Sequence, residues 1–211
     1  MTAISLDFGH HLRLDPGMRM RLRVPPLPND ALADICRRNE AWYIEREPNG
    51  ELLARPRLGA ITGLQIAALN SQICQWSEDR DLGMALGSMV GMYLPNGAMR
   101  CPAASWLSDT RWGALRAEER EGFLPFCADF VAEVVSPFDE RGELLDKMLE
   151  YREFGAKLAW LIDPVNRTVD IFRPREAVRT LTDITHLMER SEAPVLPGFV
   201  LDLRRIWNAG R

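Results

Sequence analysis

Two side chains sit where their types could do chemistry. Glu133 lies in the middle of Asp129–Pro137 (DFVAEVVSP), a run that is apolar on both faces and reads as a central buried strand. A carboxylate in such a place must be paired, protonated or bound to a metal. Lys147 follows 14 residues later, on a helix expected over Glu140–Phe154. The apolar arc of that helix holds Leu144, Met148, Tyr151 and Phe154. At about 100° per residue, Lys147 falls inside the arc rather than opposite it. A helix returning onto its own strand can bring Glu133 and Lys147 together. Two chemistries fit the pair. In one, Glu133 is a ligand for a divalent metal, and Lys147 orients a water and stabilises developing charge. In the other, the two form a structural buried salt bridge. Residue types alone favour the salt bridge, because a metal phosphodiesterase site usually needs at least two hard oxygen ligands from the protein.

The elements that must position this pair are mixed. Asn-Gly supplies the positive-φ positions of tight hairpins, and Pro-Asn-Gly occurs at 48–50 and 95–97. The first predicts a hairpin joining Trp42–Glu47 to Glu51–Arg55. The second predicts one joining Met84–Leu94 to Ala98–Leu107, irregular at Gly87 and Gly91. Helices are expected at Asp30–Arg38, at Ile61–Asp79 with Ile66, Leu69, Ile73 and Trp76 at helical spacing, and over Ser108–Glu121 as one or two surface pieces. Strands return at Ala159–Ile162, Thr168–Arg173 and Ala177–Leu181, and Leu196–Trp207 closes the chain. Met18–Val24 alternates with period two and sets Arg19, Arg21 and Arg23 on one side. That side is an electropositive ridge for phosphate or, the favoured reading, a solvated edge strand protected by charge. Asp163-Pro164 reads as a turn starter, and Trp76, Trp106 and Trp160 as core.

Composition narrows the function classes. The chain has 211 residues, 46% hydrophobic and 27% charged, which places it among folded proteins rather than disordered or fibrous ones. The expectation is one domain over 1–211, with 1–28 as an N-terminal strand extension. A net charge of −4 argues against coating nucleic acid or membrane with the whole surface, although a local basic patch is compatible with it. Cations are written almost entirely as arginine, with 24 Arg against Lys147 and Lys157, so each lysine invites a reason. The four cysteines form no CxxC and the three histidines no His-x₃-His pattern, so a zinc site, a His-built metal site or a disulfide framework is not signalled. No signal peptide or membrane-length apolar run is seen. The expected compartment is the cytoplasm.

Five segments together carry a resemblance. Gly97–Leu107 (GAMRCPAASWL), Phe126–Pro137 (FCADFVAEVVSP), Asp146–Tyr151 (DKMLEY), Gly155–Pro164 (GAKLAWLIDP) and Val195–Trp207 (VLPGFVLDLRRIW) resemble, in order, the Uma-type family of restriction endonucleases. The likeness runs from about Asp30 to Trp207. It implies a restriction-endonuclease-like α+β fold, with a mixed central sheet, flanking helices and added N-terminal hairpin strands. It also implies a PD-(D/E)xK-type magnesium site acting on DNA phosphodiesters. Glu133 and Lys147 match the family's strand glutamate and helix lysine, the same two residues that burial singled out. Tyr151 matches the last residue of the family's K-x-x-x-Y helix.

The departures are as informative. The family's preceding strand reads R-x-P-D, its aspartate being the main metal ligand. Here Arg100-Cys101-Pro102-Ala103 places Ala103 at that position. Ala68 stands where the family often has a helix glutamate, with Asn70 and Gln72 matching nearby. A methyl group cannot bind Mg²⁺, and one carboxylate with waters holds it weakly. Two readings follow. One is a magnesium-dependent nuclease-family hydrolase with a degenerate site on Glu133 and Lys147, which Asp129 would repair if it pointed into the cavity. The other is a non-catalytic binding or structural module on the same fold, homodimeric or larger.

Overall fold

The computed structural model describes residues 19–211. The expected extension over 1–28 therefore lies partly outside the described residues. What is described of it includes strand β1 (Met20–Leu22), at the edge of a five-stranded sheet. Helix α1 (Asn29–Arg38) follows, then the hairpin of β2 (Trp42–Arg46) and β3 (Leu52–Pro56). Pro48-Asn49-Gly50 makes the turn as its residue types dictate. Gly50 takes φ +87°, and the Asn49 side chain accepts the Glu51 N–H at 3.0 Å. Helix α2 (Ala60–Arg80) buries Ile66, Leu69, Ile73 and Trp76, the stripe its spacing predicts.

The second Pro-Asn-Gly segment corrects its prediction. It does not close one long hairpin. Its arms each break and pass from one sheet to another. Close to the turn, β5 (Met92–Tyr93) pairs with β6 (Met99–Arg100) in the five-stranded sheet, whose order is β1-β3-β2-β6-β5. Further out, β4 (Gly83–Leu86) pairs with β7 (Ala104–Ser108) in a separate six-stranded sheet. The breaks fall at Gly87–Gly91 on one arm and at Cys101-Pro102-Ala103 on the other. Proline has no N–H to give a ladder, and glycine weakens one.

Two short helices follow, α3 (Asp109–Gly113) and α4 (Ala117–Glu121), splitting the predicted surface segment. Next come β8 (Phe130–Val134), α5 (Arg141–Glu153) and β9 (Leu158–Asp163). β8 and β9 are parallel, so the connection between them must cross over, and α5 is that crossover. β10 (Thr168–Phe172) and β11 (Arg179–Thr182) complete the sheet in the order β11-β10-β9-β8-β7-β4. A separate two-stranded ribbon of β12 (His186–Met188) and β13 (Val200–Asp202) precedes α6 (Arg204–Trp207). The strand at His186–Met188 has no counterpart in the sequence reading, which placed only a closing segment over 196–207.

Both faces of the six-stranded sheet are covered. Phe130, Ala132, Trp106 and Trp160 face α2 and the C-terminal segment, where Trp76, Trp160 and Phe199 pack ring against ring. Val131, Ala159 and Leu161 face α5 through Leu144, Met148 and Tyr151. Asp163 starts the turn as predicted, accepting the backbone N–H groups of Val165 and Asn166. Ser105, the second residue of β7, is fully buried, and among the described residues its hydroxyl finds no partner. Such a group retains its desolvation cost without recovering a hydrogen bond. Ser105→Ala is therefore expected to raise unfolding free energy by about 1 kcal/mol, read as a higher urea midpoint at unchanged slope. A lower midpoint would mean that the hydroxyl is satisfied.

Candidate active site

Strand β8 and helix α5 deliver Glu133 and Lys147 to one buried point. Lys147 Nζ lies 2.8 Å from Glu133 Oε1, and both side chains are buried. The same ammonium lies 2.7 Å from Glu45 Oε1, on β2. Three charges thus meet away from water, one cation between two carboxylates. Tyr151, one turn on from Lys147, donates its hydroxyl to Glu133 Oε1 at 3.1 Å. Cys101, at the break between β6 and β7, donates its backbone N–H to Glu45 Oε1 at 2.7 Å.

Glu45 is the residue that sequence reasoning missed. Along β2 it follows Ile44, and strict alternation puts it on the solvent side of a half-buried hairpin. The hairpin is instead covered on both faces. Ile44, Leu52 and Ala54 pack with Leu32 of α1, while Glu45, paired in register with Leu53, faces the opposite way, toward Lys147. The signal was present in β3, where Leu52 and Leu53 are consecutive and both buried. A strand with apolar neighbours on both faces is not half-solvated.

A ring of arginines surrounds the triad. Arg100 is buried and binds Glu47 at 2.9 Å and Glu150 at 2.6 Å, with Glu45 at 3.9 Å. Arg55 reaches Asp139 at 3.5 Å. Two arginines of the N-terminal strand also reach acids of this region. Arg19 binds Asp139 and Glu143, and Arg21 binds Glu143 at 2.9 Å. Arg23, which is 92% exposed, pairs with Glu51. The strand is an edge, as expected, but two of its three arginines serve as intramolecular clamps onto the start of α5.

These charges set the titration of Glu45, Lys147 and Tyr151. Burial pushes the Glu45 carboxyl up, but Lys147, Arg55, Arg100 and the Cys101 N–H outweigh it and bring the group down to about 2. Burial alone would lower Lys147, yet Glu133 and Glu45 hold its pKa above the ordinary lysine value. Burial, reinforced by Glu133 and Glu45, pushes the Tyr151 phenol well up, so it stays a donor. Since the folded Glu45 value lies below the unfolded one, its contribution is complete above about pH 4.5 and is lost as pH falls toward 2. That contribution is about 3 kcal/mol. We expect stability to fall across this window, and Glu45→Gln to flatten the fall while costing about 3 kcal/mol at neutral pH. Chemical denaturation of both proteins at a series of pH values measures this, and parallel acid profiles would contradict it.

Ala103 is buried beside Glu133. Ala104 pairs with Ala132 at the end of the β7–β8 ladder, and Ala103 is the next residue out, next to Glu133 on the neighbouring strand. Both line a cavity of about 20 Å³ together with Tyr43, Arg55, Ile66 and Cys101, room for about one water. Ala68 does not line this cavity. It packs toward the tryptophan-rich core, and Ile66 is the α2 residue that reaches the cavity. Asn70 instead ties α2 to the site, donating to the Ala103 carbonyl at 2.8 Å. Asp129 is held elsewhere. It accepts from Ser108 N–H and hydroxyl at 2.9 and 2.8 Å, and binds Arg111 and Lys157. Four residues along a strand is about 13 Å, so Asp129 is not brought to the Glu133–Lys147 cavity.

Magnesium requires near-octahedral oxygen ligation. Among the described residues no three His, Cys, Asp or Glu side chains converge in a way that could hold a metal ion. The two carboxylates that do converge already share an ammonium, and the position beside Glu133 presents a methyl group. The residues present do not fit a magnesium ion.

With this geometry established, the relatives can be placed. The sequence profile of Uma2, described as "Putative restriction endonuclease", matches residues 30–204, and the chain belongs to that family. No curated protein matches the chain. Among solved structures it is similar to the crystal structure of a "putative nuclease belonging to DUF820" from Anabaena variabilis. The TM-score is 0.65 at 17% identity, over 78% of this chain and 89% of that one. The mixed sheet with flanking helices is the restriction-endonuclease-like α/β fold of the PD-(D/E)xK superfamily.

Proposed function

We propose that this chain is a nuclease-family protein whose substrate class is the DNA phosphodiester, and that metal-dependent hydrolysis is weak or absent in it as written. Family membership supports the hydrolase class. The observation that carries the second half is the Glu45–Lys147–Glu133 triad beside Ala103. In a working site of this class, a lysine beside the glutamate faces the reacting phosphate. Here its ammonium is engaged by two carboxylates, and the neighbouring strand offers no ligand. The full satisfaction of that triad also favours a second reading, a non-catalytic binding or structural module on the same fold. DNA as partner, a homodimeric or larger homo-oligomeric state and the cytoplasm as compartment belong to this proposal. Cys36, Cys74, Cys101 and Cys127 are all free thiols, which suits a reducing compartment. Among the described residues no helix is long and apolar enough to cross a membrane.

Ligand counting gives the test. Ala103→Asp places a carboxylate beside Glu133, and a dication then gains both a bond and Coulomb attraction. The larger side chain costs about 1–3 kcal/mol of packing. We expect Ala103→Asp to bind Mn²⁺ about tenfold or more tightly than the wild type by calorimetry, and to gain plasmid nicking. Wild-type protein that already binds Mn²⁺ at micromolar concentration and nicks plasmid, with Glu133→Ala abolishing both, would overturn the proposal.

A further inference from the structure

We infer that the Lys147 ammonium occupies the place of a bound cation between Glu45 and Glu133, and that removing its charge leaves a two-carboxylate site for a divalent metal ion. The inference rests on the reading of a degenerate site, and is tested at Lys147 and Glu45 rather than at Ala103.

The geometry carries it. Nζ sits 2.7 Å from one carboxylate oxygen and 2.8 Å from the other, bridging side chains from two sheets, much as a shared cation would. Neither carboxylate is deprived of other support. Glu45 keeps the Cys101 N–H and Glu133 keeps the Tyr151 hydroxyl, so both remain oriented once the ammonium is gone. Access exists from the Glu45 side. A cleft of about 290 Å³ is lined by Glu45, Lys147, Arg55, Arg100 and Asp146, with Arg19 and Arg21 also on its wall.

The surrounding charge permits a dication. Arg55 and Arg100 both bear on Glu45 and oppose a metal there. Each is offset in turn, Arg55 by Asp139 and Arg100 by Glu47 and Glu150. With the ammonium removed, the six carboxylates on the cleft wall and Glu133 face four guanidiniums, those of Arg19, Arg21, Arg55 and Arg100, and negative charge stays in excess. Two hard oxygens at one point, with water filling the remaining positions, is the donor set that Mg²⁺ and Mn²⁺ accept from proteins. In the wild type the tethered ammonium is always at hand, so a dication must displace it from a charge-assisted hydrogen bond to Glu45 and an ion pair with Glu133.

The experiment uses Lys147→Met, which retains the apolar stem, and Lys147→Gln as a second variant that can still donate to one carboxylate. Thermal unfolding and calorimetry are run with Mn²⁺ as the probe. We expect Mn²⁺ to raise the Tm of either variant and to bind about tenfold or more tightly than to the wild type. Adding Glu45→Gln to Lys147→Met should abolish the Tm shift. A folded Lys147 variant with no Mn²⁺ response, or a wild type with the same response, overturns the inference. So does failure of both variants to fold in Mn²⁺ as well as without it, since the metal is required to replace the ammonium. Failure of Ala103→Asp to bind Mn²⁺, beside a responsive Lys147→Met, would count against the ligand-count reading at position 103 and leave this one standing.

Discussion

A charged amine kept from water needs anionic partners, and the architecture around Lys147 is organised by that requirement. Taking an ammonium into the interior costs several kcal/mol even after relaxation, and only close, well-oriented carboxylates offset it. Glu133 is local, delivered by the strand that precedes α5. Glu45 comes from a hairpin 102 residues earlier in the chain. The triad therefore joins the five-stranded sheet to the six-stranded one at a buried point. Removing Lys147 takes away the cation that the two carboxylates share, and removing either carboxylate leaves the ammonium with one anionic partner of the two. Such pairs contribute less to net stability than to fixing one arrangement of elements over its alternatives. Here the arrangement fixed is the seat of the N-terminal hairpin on α5.

The chain between the sheets serves the same point. The arms around Pro95-Asn96-Gly97 leave one sheet and enter the other, and the crossing at Cys101-Pro102-Ala103 runs directly past the triad. Freed from ladder pairing, the Cys101 N–H turns to Glu45, and the Ala103 carbonyl takes the Asn70 amide from α2. A sheet switch thus leaves backbone groups for the site to use. It also sets the side chain of residue 103 at the cavity wall, where a ligand would be needed and a methyl group stands.

Much of this was legible in the sequence where a pattern was local. Helix periodicity placed Leu144, Met148 and Tyr151 on one face and put Lys147 among them, and an apolar run placed Glu133 inside. Asn-Gly chemistry found both turns. What periodicity cannot show is which face of an element a distant segment will cover. Glu45 lies in Trp42–Glu47, whose last three residues are all charged, and nothing local to that run marks a second covered face. Only the fold reveals that α5 closes the second face. The same limit hid the sheet switch, since Gly87 and Gly91 announce irregularity but not a change of partner strand. It also hid the fate of Arg19 and Arg21, whose alternation gave a ridge but not the acids of α5 that receive it.

The near absence of lysine gives the site its last constraint. With 24 arginines in the chain, an arginine at 147 would follow the general habit of this sequence. The geometry explains why it is not one. A guanidinium is a planar fork suited to two oxygens of a single carboxylate, whereas an ammonium is a compact charge whose protons can point at separate partners. Lys147 touches one oxygen on each of two carboxylates from different strands, at 2.7 and 2.8 Å, with Tyr151 sharing the second. A longer, flat cation would have to enter the same space edge-on, and the cavity that Glu133 lines holds about one water. Nearby, Arg100 has the room a fork needs and uses it, taking Glu150 with Nε and Glu47 with Nη2. Both cations bridge two carboxylates, so the two types are sorted by the room at each position rather than by the number of anions each must satisfy. The position that accepts only a point charge is the one the family's chemistry would otherwise claim.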